Sequence, residues 1–358
     1  MNINNWMLLH RFMAKVLVTG FEPFSNHSTN ISGDLLKTLG KSEYINDPWS
    51  LIRDYTLEPV EIDIETSLLS VDEFGAKEIA KRIADGERWD AVIHLGLCST
   101  CEIAKIELKA HNILDMKIKD NSGRQIQNHK LGEADQISTI ESNIIFTNRG
   151  EIKAEISDDA GRYICNETYY NTLLEIRHSM LGDENIPCLF LHLPDYSFCS
   201  LDSARNLLFD MIGRILFKPV ISVSAAAIID NNRILVARRN DENNTGLWEF
   251  PGGKFEWGEN ASQAVVRELD EEFSWNVKSI QSFGKWFHKM VDFDIDLNVE
   301  ICQFIGKLPD FNLQEKWTSH DEIKWITDED EVSPYVGLDK LVAQELCNEL
   351  SNPGGRFS

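Results

Sequence analysis

The stretch that most restricts how this chain can fold is a run of glycines and acids that only a helix can bring to one side. Phe250-Pro251-Gly252-Gly253-Lys254 leads through Glu259 to Arg267-Glu268-Leu269-Asp270-Glu271-Glu272. With residues 262–273 helical, Glu268, Glu271 and Glu272 stand at i, i+3 and i+4 and share a face. Adjacent carboxylates repel one another, and a helix selected for stability alone would interleave them with bases. A divalent cation resolves the conflict. Hard oxygen ligands with room for water and phosphate oxygens favour Mg2+ or Mn2+ over zinc. The glycine pair lacks Cβ atoms, so backbone can approach such an ion closely.

The run resembles the signature of the Nudix hydrolases: a glycine, five residues, a glutamate, seven residues, then Arg-Glu-aliphatic-any-Glu-Glu. Gly253, Glu259, Arg267, Glu268, Leu269, Glu271 and Glu272 fall in register, and the departure is Ser274, where glycine usually shapes the turn after the helix. The surrounding pattern agrees. Strand-like residues 220–229 meet a turn at Asp230-Asn231-Asn232-Arg233 and return over 234–239. Trp248-Glu249-Phe250 leads into the signature, followed by strands near 280–290, 296–306 and 322–326 and a closing helix over 338–350. That order is the Nudix α/β/α sandwich, expected over residues 219–350 with a tail at 351–358.

The resemblance implies metal-assisted splitting of a nucleoside triphosphate into monophosphate and pyrophosphate, as in mutator-type and pyrimidine nucleoside triphosphate pyrophosphohydrolases. Glu268, Glu271, Glu272 and the Gly252 carbonyl would hold Mg2+ or Mn2+, with Glu271 central to catalysis. Arg267 would orient a carboxylate beside the substrate. Asp339 would read an exocyclic amine of the base, or simply face the dipole of its helix. Ser319 stands where many relatives carry another glutamate, with Asp321 and Glu322 as nearby substitutes.

The whole chain has 358 residues, which suits about two domains. Its 58 acidic against 35 basic residues, a formal net charge of -23, argue against a nucleic-acid polymer or an anionic membrane as partner. No run of about eighteen apolar residues exists to span a bilayer. Residues 1–13 read as an N-terminal extension too short and polar for a secretory signal, and Met13 competes with Met1 as initiator. Seven scattered cysteines fit a reducing cytoplasm better than a disulfide framework. Cys98-x-x-Cys101 has no second pair at zinc spacing, so a metal or redox role is the lesser of its readings.

Ahead of residue 218 the pattern changes. Lys15-Val16-Leu17-Val18-Thr19-Gly20 reads as a buried strand ending in glycine, and Trp89 to Gly96 as another, with a helix over 76–84 between them. Strands alternating with helices argue an open, mostly parallel α/β/α sheet whose ligands gather beyond the strand ends, near the loops after Gly20 and Gly96. Cys165 at a helix start, His192 in an apolar strand and Glu107 upstream could form a nucleophilic triad. Each alone is more often a core residue.

Thr19-Gly20-Phe21-Glu22-Pro23-Phe24, Ala160-Gly161-Arg162-Tyr163-Ile164-Cys165-Asn166 and His192-Leu193-Pro194 together resemble pyroglutamyl peptidase I, the pyrrolidone carboxyl peptidase family of cysteine peptidases, over residues 14–218. The resemblance implies a catalytic triad of Glu107, Cys165 and His192 that removes N-terminal pyroglutamate from peptides without a cofactor. It implies a lactam pocket between Phe21 and Phe24 with a hydrogen bond from Asn30, closed by Ile118, Tyr163 and Ile164. Departures lie at Ser25-Asn26 for the usual Gly-Gly, at Ile31 where proline is common, and at Leu97 to Cys101, where bacterial members often carry glutamine and arginine. Residues 138–150 lack a clear amphipathic helix, so a homo-oligomer contact or the pocket rim would differ.

The expectation is therefore a cytoplasmic α/β hydrolase with two sites, one taking pyroglutamyl peptides and one a nucleoside triphosphate. An alternative leaves only the Nudix half catalytic, with the other half a binding or sensing module. A third makes the chain a nucleotide-responsive regulator.

Overall fold

The computed structural model describes residues 13–179, 185–242, 244–309, 311, 317 and 319–352. Most of the N-terminal extension and most of the tail lie outside the described residues. The chain forms two compact units. The first takes the chain up to Leu51, Tyr55–Asn143 and Glu151–Lys218; the second takes Ile52–Asp54, Ile144–Gly150 and everything from Pro219.

The first unit runs β1 (Ala14–Phe21), α1 (Ile31–Leu36), β2 (Ser42–Ile45), β3 (Val60–Leu69), α2 (Glu73–Ala84), β4 (Ala91–Cys98), β5 (Ala104–Glu107), β6 (Lys109–Ala110), β7 (Gln136–Ile137), the single turn α3 (Ser142–Ile145), β8 (Ala154–Ser157), α4 (Ile164–His178), β9 (Cys188–Pro194) and α5 (Leu201–Leu216). Seven strands make one sheet in the order β2-β3-β1-β4-β9-β5-β8. Pairs β1/β3, β1/β4 and β4/β9 are parallel, while β5 is antiparallel to β9. The central strands are apolar on both faces, as a covered parallel sheet requires: Val16, Leu17, Val18, Val92, Ile93 and Leu191 are all fully buried. On one face α2 and α4 close a core of Leu17, Ile79, Ile83, Leu173 and Phe190. Helix α2 starts at Glu73, earlier than its apolar period suggests, because Asp72 accepts from the Gly75 amide at 3.0 Å and caps it.

Two glycines correct the sequence reading. Neither Gly20 nor Gly96 ends its strand; β1 continues to Phe21 and β4 to Cys98. A side chain at Gly20 would strike the Ser32 carbonyl at the start of α1, so this glycine serves close packing and not a turn.

The second unit comprises β10 (Val220–Asp230), β11 (Arg233–Arg239), β12 (Trp248–Glu249), β13 (Gly252–Lys254), α6 (Ala261–Phe273), β14 (Val277–Lys289), β15 (Asp294–Phe304), β16 (His320–Ile326) and α7 (Asp339–Ser351). Its sheet runs β12-β11-β10-β15-β14, with β13 paired to β10 and β16 to β11. The two-residue period of β10 divides its side chains between two cores. Ala225 and Ala227 face Val342, Ala343 and Leu346 of α7, and Ala226 and Ile228 face Val265, Leu269 and Phe273 of α6. Within the same unit Arg53 and Asp294 form a buried ion pair at 2.6 Å. Asn260 caps α6 reciprocally with Gln263, and Ser274 ends it in the left-handed region at φ 56°.

Candidate active sites

In the first unit, strand β9 carries His192 between two neighbours. Gly96 of β4 lies opposite it on one side and Lys105 of β5 on the other. The antiparallel turn of β5 brings Glu107 alongside, and its Oε1 meets His192 Nδ1 at 2.8 Å. Cys165, in the first turn of α4, has its thiol against Gly96, the residue in register with His192. Burial opposes charge on His192, but the Cys165 and Glu107 contacts outweigh it and lift the imidazole to about 9. The fully buried Glu107 carboxylate orients the ring and favours its charged form.

Helix α4 has no side-chain cap, so amides of its first turn remain for another acceptor beside the thiol. The start of the helix is nevertheless tightly held. Asn166 accepts from the His111 amide at 2.7 Å and donates to the His111 and Ile113 carbonyls at 2.9 and 3.0 Å. Glu167 pairs through both oxygens with Arg124, at 3.0 and 2.6 Å, and Arg124 also holds Asp120.

Phe21 and Ile164 are buried in the core cluster of the first unit, and Phe24, Tyr163 and Cys165 pack against that cluster, partly buried. The rings of Phe24 and Tyr163 lie 6.0 Å apart, and Tyr163 donates to the Lys119 carbonyl at 3.0 Å. Two expected pocket residues are placed otherwise. Asn30 is turned inward, where its Oδ1 caps α1 by accepting from Ser32 N and Oγ at 3.1 and 2.8 Å, while Nδ2 donates to the Glu22 carbonyl. Its hydrogen bonds go to the protein, not to a pocket. Ile118 is 43 % exposed and stands outside the cluster.

Gly96, Cys98 and Cys101 take roles here other than those their spacing suggested. A Cβ at Gly96 would lie 2.7 Å from the Phe190 ring and 3.0 Å from Cys165 Sγ, so the glycine makes room for the thiol. Cys98 and Cys101 form a disulfide, which corrects the expectation of reduced cysteines throughout; the other five are free.

In the second unit, Glu268, Glu271 and Glu272 all lie on α6, yet their charges are met differently from the cation argument. Arg267 forks across Glu259 at 2.8 and 2.9 Å and across Glu268 and Glu271 at 3.0 Å each, and it donates to the Lys254 carbonyl. The guanidinium holds the Glu259 carboxyl below its usual range. Part of the predicted repulsion is thus answered by a neighbouring base. Among the described residues, no group of three or more His, Cys, Asp or Glu converges as a metal cage.

Glu272 is the exception. Its Oε1 accepts from Ser319 at 2.7 Å, while Oε2 is buried without a hydrogen bond, 3.8 Å from His320 Nδ1. Burial raises the pKa of both Glu268 and Glu272. A side chain at Gly253 would run into the Glu268 carboxyl group, and one at Gly252 into the Ser224 carbonyl. The Glu268 carboxyl beside Gly253 and the Glu272 oxygen that accepts no hydrogen bond are the groups here that suit a hard cation.

Behind Glu272 lies a polar chain that sequence reasoning missed. Glu249 Oε1 meets Arg239 and His320 Nε2, each at 2.8 Å, and His320 Nδ1 meets Ser319 Oγ at 3.0 Å. Adjacency to Trp248 and Ser319 was the one available signal. Asp339 is buried at the start of α7 and accepts from the Phe250 amide at 3.3 Å; burial, then nearby Glu249, raise its pKa. Asp321 and Glu322, the expected substitutes for a glutamate at 319, instead pair with Arg238 at 2.8 and 2.7 Å.

Both halves of the chain resemble known proteins. The pyroglutamyl peptidase family matches residues 14–203 and the NUDIX domain family residues 218–344. The pyrrolidone-carboxylate peptidase of Thermococcus kodakarensis is 30% identical over 196 residues, covering 53% of this chain and 86% of that protein. That of Deinococcus radiodurans is 27% identical over 187 residues, covering 51% and 78%. A crystal structure of pyrrolidone carboxyl peptidase from Thermus thermophilus aligns over 56% of this chain and 99% of its own, with 25% identity and a TM-score of 0.44.

Proposed function

Because the chain belongs to the pyroglutamyl peptidase family through residues 14–203 and carries a Nudix domain at residues 218–344, we propose that it is a hydrolase with two sites: one removes N-terminal pyroglutamate, the other splits a nucleoside triphosphate. The observation that carries the first activity is the alignment of Glu107, His192 and Cys165 at an uncapped helix start. In this reading the Cys165 thiolate attacks the pyroglutamyl carbonyl, and amides of the first turn of α4 receive the oxyanion. His192, held as imidazolium by Glu107, protonates the leaving amine and then takes a proton from the water that frees the acyl group. The cluster of Phe21, Phe24, Tyr163 and Ile164 offers an uncharged lactam an apolar slot.

The test is fluorophore release from a pyroglutamyl amide. The wild type should cleave it, and Cys165→Ala should fall to background while keeping its fold by circular dichroism. Undiminished release by the variant would end this reading.

For the second site, Glu268, Glu271, Glu272 and the Gly252 carbonyl would hold Mg2+ or Mn2+. Such an ion supplies neutralisation of phosphate charge and activation of water. Arg267 hydrogen-bonds Glu259, Glu268 and Glu271, and Asp339, which accepts from the Phe250 amide, would read a base in this reading. Mg2+-dependent pyrophosphate release across a nucleotide panel, lost in Glu271→Gln, is the expected result.

One observation favours a second reading, in which one half turns over and the other only binds. Ser319 stands where a carboxylate is common and spends its hydroxyl on Glu272. This supports the Nudix half as the binder, the reverse of what the sequence alone favoured. Mg2+-dependent nucleotide binding without pyrophosphate release would then be found.

A further inference from the structure

The Cys98–Cys101 disulfide lies in the connection from β4 to β5, the strand that carries Glu107. Strand β4 ends at Cys98 and β5 begins at Ala104, and in the sheet β9 with His192 lies between them. The chain must therefore leave β4, cross the end of β9 and come back antiparallel within residues 99–103, a span of about 9.5 Å at ordinary strand spacing. Cys98 is in register with Pro194 on one side of β9, and Lys105 with His192 on the other. Besides the disulfide, a Cys101 amide bond to the Cys98 carbonyl, long at 3.3 Å, closes this turn. Strand β5 is only four residues long, and its last residue is Glu107. The turn sets where β5 starts, while β8 and the Tyr169 hydroxyl, which donates to the Glu107 carbonyl at 3.0 Å, hold its far end, so a released start shifts Glu107 against the His192 ring without freeing it.

We infer that Cys98 and Cys101 form a thiol–disulfide exchange site: a dithiol reductant opens it, the start of β5 is released, and the Glu107–His192 contact weakens. The inference rests on the peptidase reading of the site. Cys98 is half-buried and followed by exposed Ser99 and Thr100, whereas Cys101 is 8% exposed, so attack falls on Cys98. A thiolate of the reductant bonds to Cys98 Sγ, the Sγ–Sγ bond breaks, and Cys101 leaves as thiolate and takes a proton. The reductant's second thiolate then attacks the sulfur joined to Cys98, forming the reductant's own disulfide and releasing the Cys98 thiol. Two electrons and two protons pass from reductant to protein. The pair acts through Glu107 as a positioning device and touches no substrate.

Full-length protein is poised in mixtures of reduced and oxidised dithiothreitol. Differential alkylation with mass spectrometry reads the state of Cys98 and Cys101 and identifies samples in which Cys165 stays a free thiol. In those samples two quantities are measured: kcat and KM on a pyroglutamyl amide, and the rate at which iodoacetamide alkylates Cys165. Opening the pair should lower kcat about tenfold, since a misplacement near 1 Å costs that much or more. KM should stay within about twofold, because the pocket residues sit elsewhere in the sheet. Cys165 alkylation at neutral pH should slow in step, and reoxidation should restore both. Cys98→Ser/Cys101→Ser should hold the reduced rates in every mixture. Rates that stay constant while the pair opens, or a double variant that still follows the mixture, overturn the inference. If neither state cleaves the amide, the peptidase reading fails, and the alkylation rate still decides for or against the exchange site.

Discussion

His94 and His192 sit on adjacent strands of one sheet, both buried, and differ in what their ring nitrogens meet. His94 faces hydroxyls only, Thr19 at 2.7 Å and Thr172 at 3.1 Å, and burial drives it down to about 3. His192 faces a carboxylate and a thiol and rises to about 9. A raised folded value means that protonated His192 stabilises the fold fully below its unfolded pKa of about 6.5. That contribution is lost as pH climbs through about 9. Peptidase activity should fall along the same alkaline limb. In Glu107→Gln the anion is gone, so the limb should move to lower pH and kcat at neutral pH should drop by about a hundredfold or more. A pH–rate profile with an unmoved limb would remove Glu107 from this role.

At the scale of elements, substitutions should read out how closely strands and helices approach. Gly96→Ala puts a methyl group 2.7 Å from Phe190 and 3.0 Å from Cys165 Sγ. It should cost about 1–3 kcal/mol of overpacking and most of the peptidase activity. Thermal unfolding and amide turnover measure the two effects separately. Two serines give the opposite sign. Ser25 and Ser274 have φ of 53° and 56°, at positions where the family resemblances lead one to expect glycine. Ser25→Gly and Ser274→Gly should each stabilise by up to about 1 kcal/mol in denaturant titrations, as left-handed strain is relieved and unfolded-state entropy returns part of the gain. These positions also mark how far local pattern reaches. The period of α6, the buried runs of β1 and β4 and the alternation of β10 are properties of neighbouring residues, and they are legible in the chain. Gly20 and Gly96 read as strand ends because nothing nearby in sequence reveals Ser32 or Phe190 packed against them. The family resemblance places Asn30 at the pocket; its cap on Ser32 is two residues away in sequence, and only the bond to Glu22 needs the loop to fold back. The link from Glu249 to His320 joins residues 71 apart in sequence, which no periodicity encodes.

For the whole molecule, each compact unit has cores of its own, and a ligand of one should be read in that unit. The second unit holds raised carboxylates at Glu268 and Glu272, the latter with an oxygen that accepts no hydrogen bond. Such groups favour folding when protonated. Their contribution is fully present below the unfolded pKa and is lost as pH rises through the raised folded value, so at neutral pH they weigh against the fold. A divalent cation reverses that penalty, because its binding stabilises the folded state by mass action, about 2.7 kcal/mol at a hundredfold excess over Kd. Millimolar Mg2+ should therefore slow hydrogen exchange in peptides from 219–352 and leave those from 55–143 unchanged, and it should raise the melting temperature of the second unit alone. Glu272→Gln removes the buried anionic oxygen, so the protection by Mg2+ should vanish while the metal-free melting temperature rises. Protection that survives in Glu272→Gln would move the cation away from this carboxylate. Protection absent from the wild type would leave Arg267 and Ser319 as the groups that balance the acids, and would remove the basis for metal-assisted hydrolysis in that half.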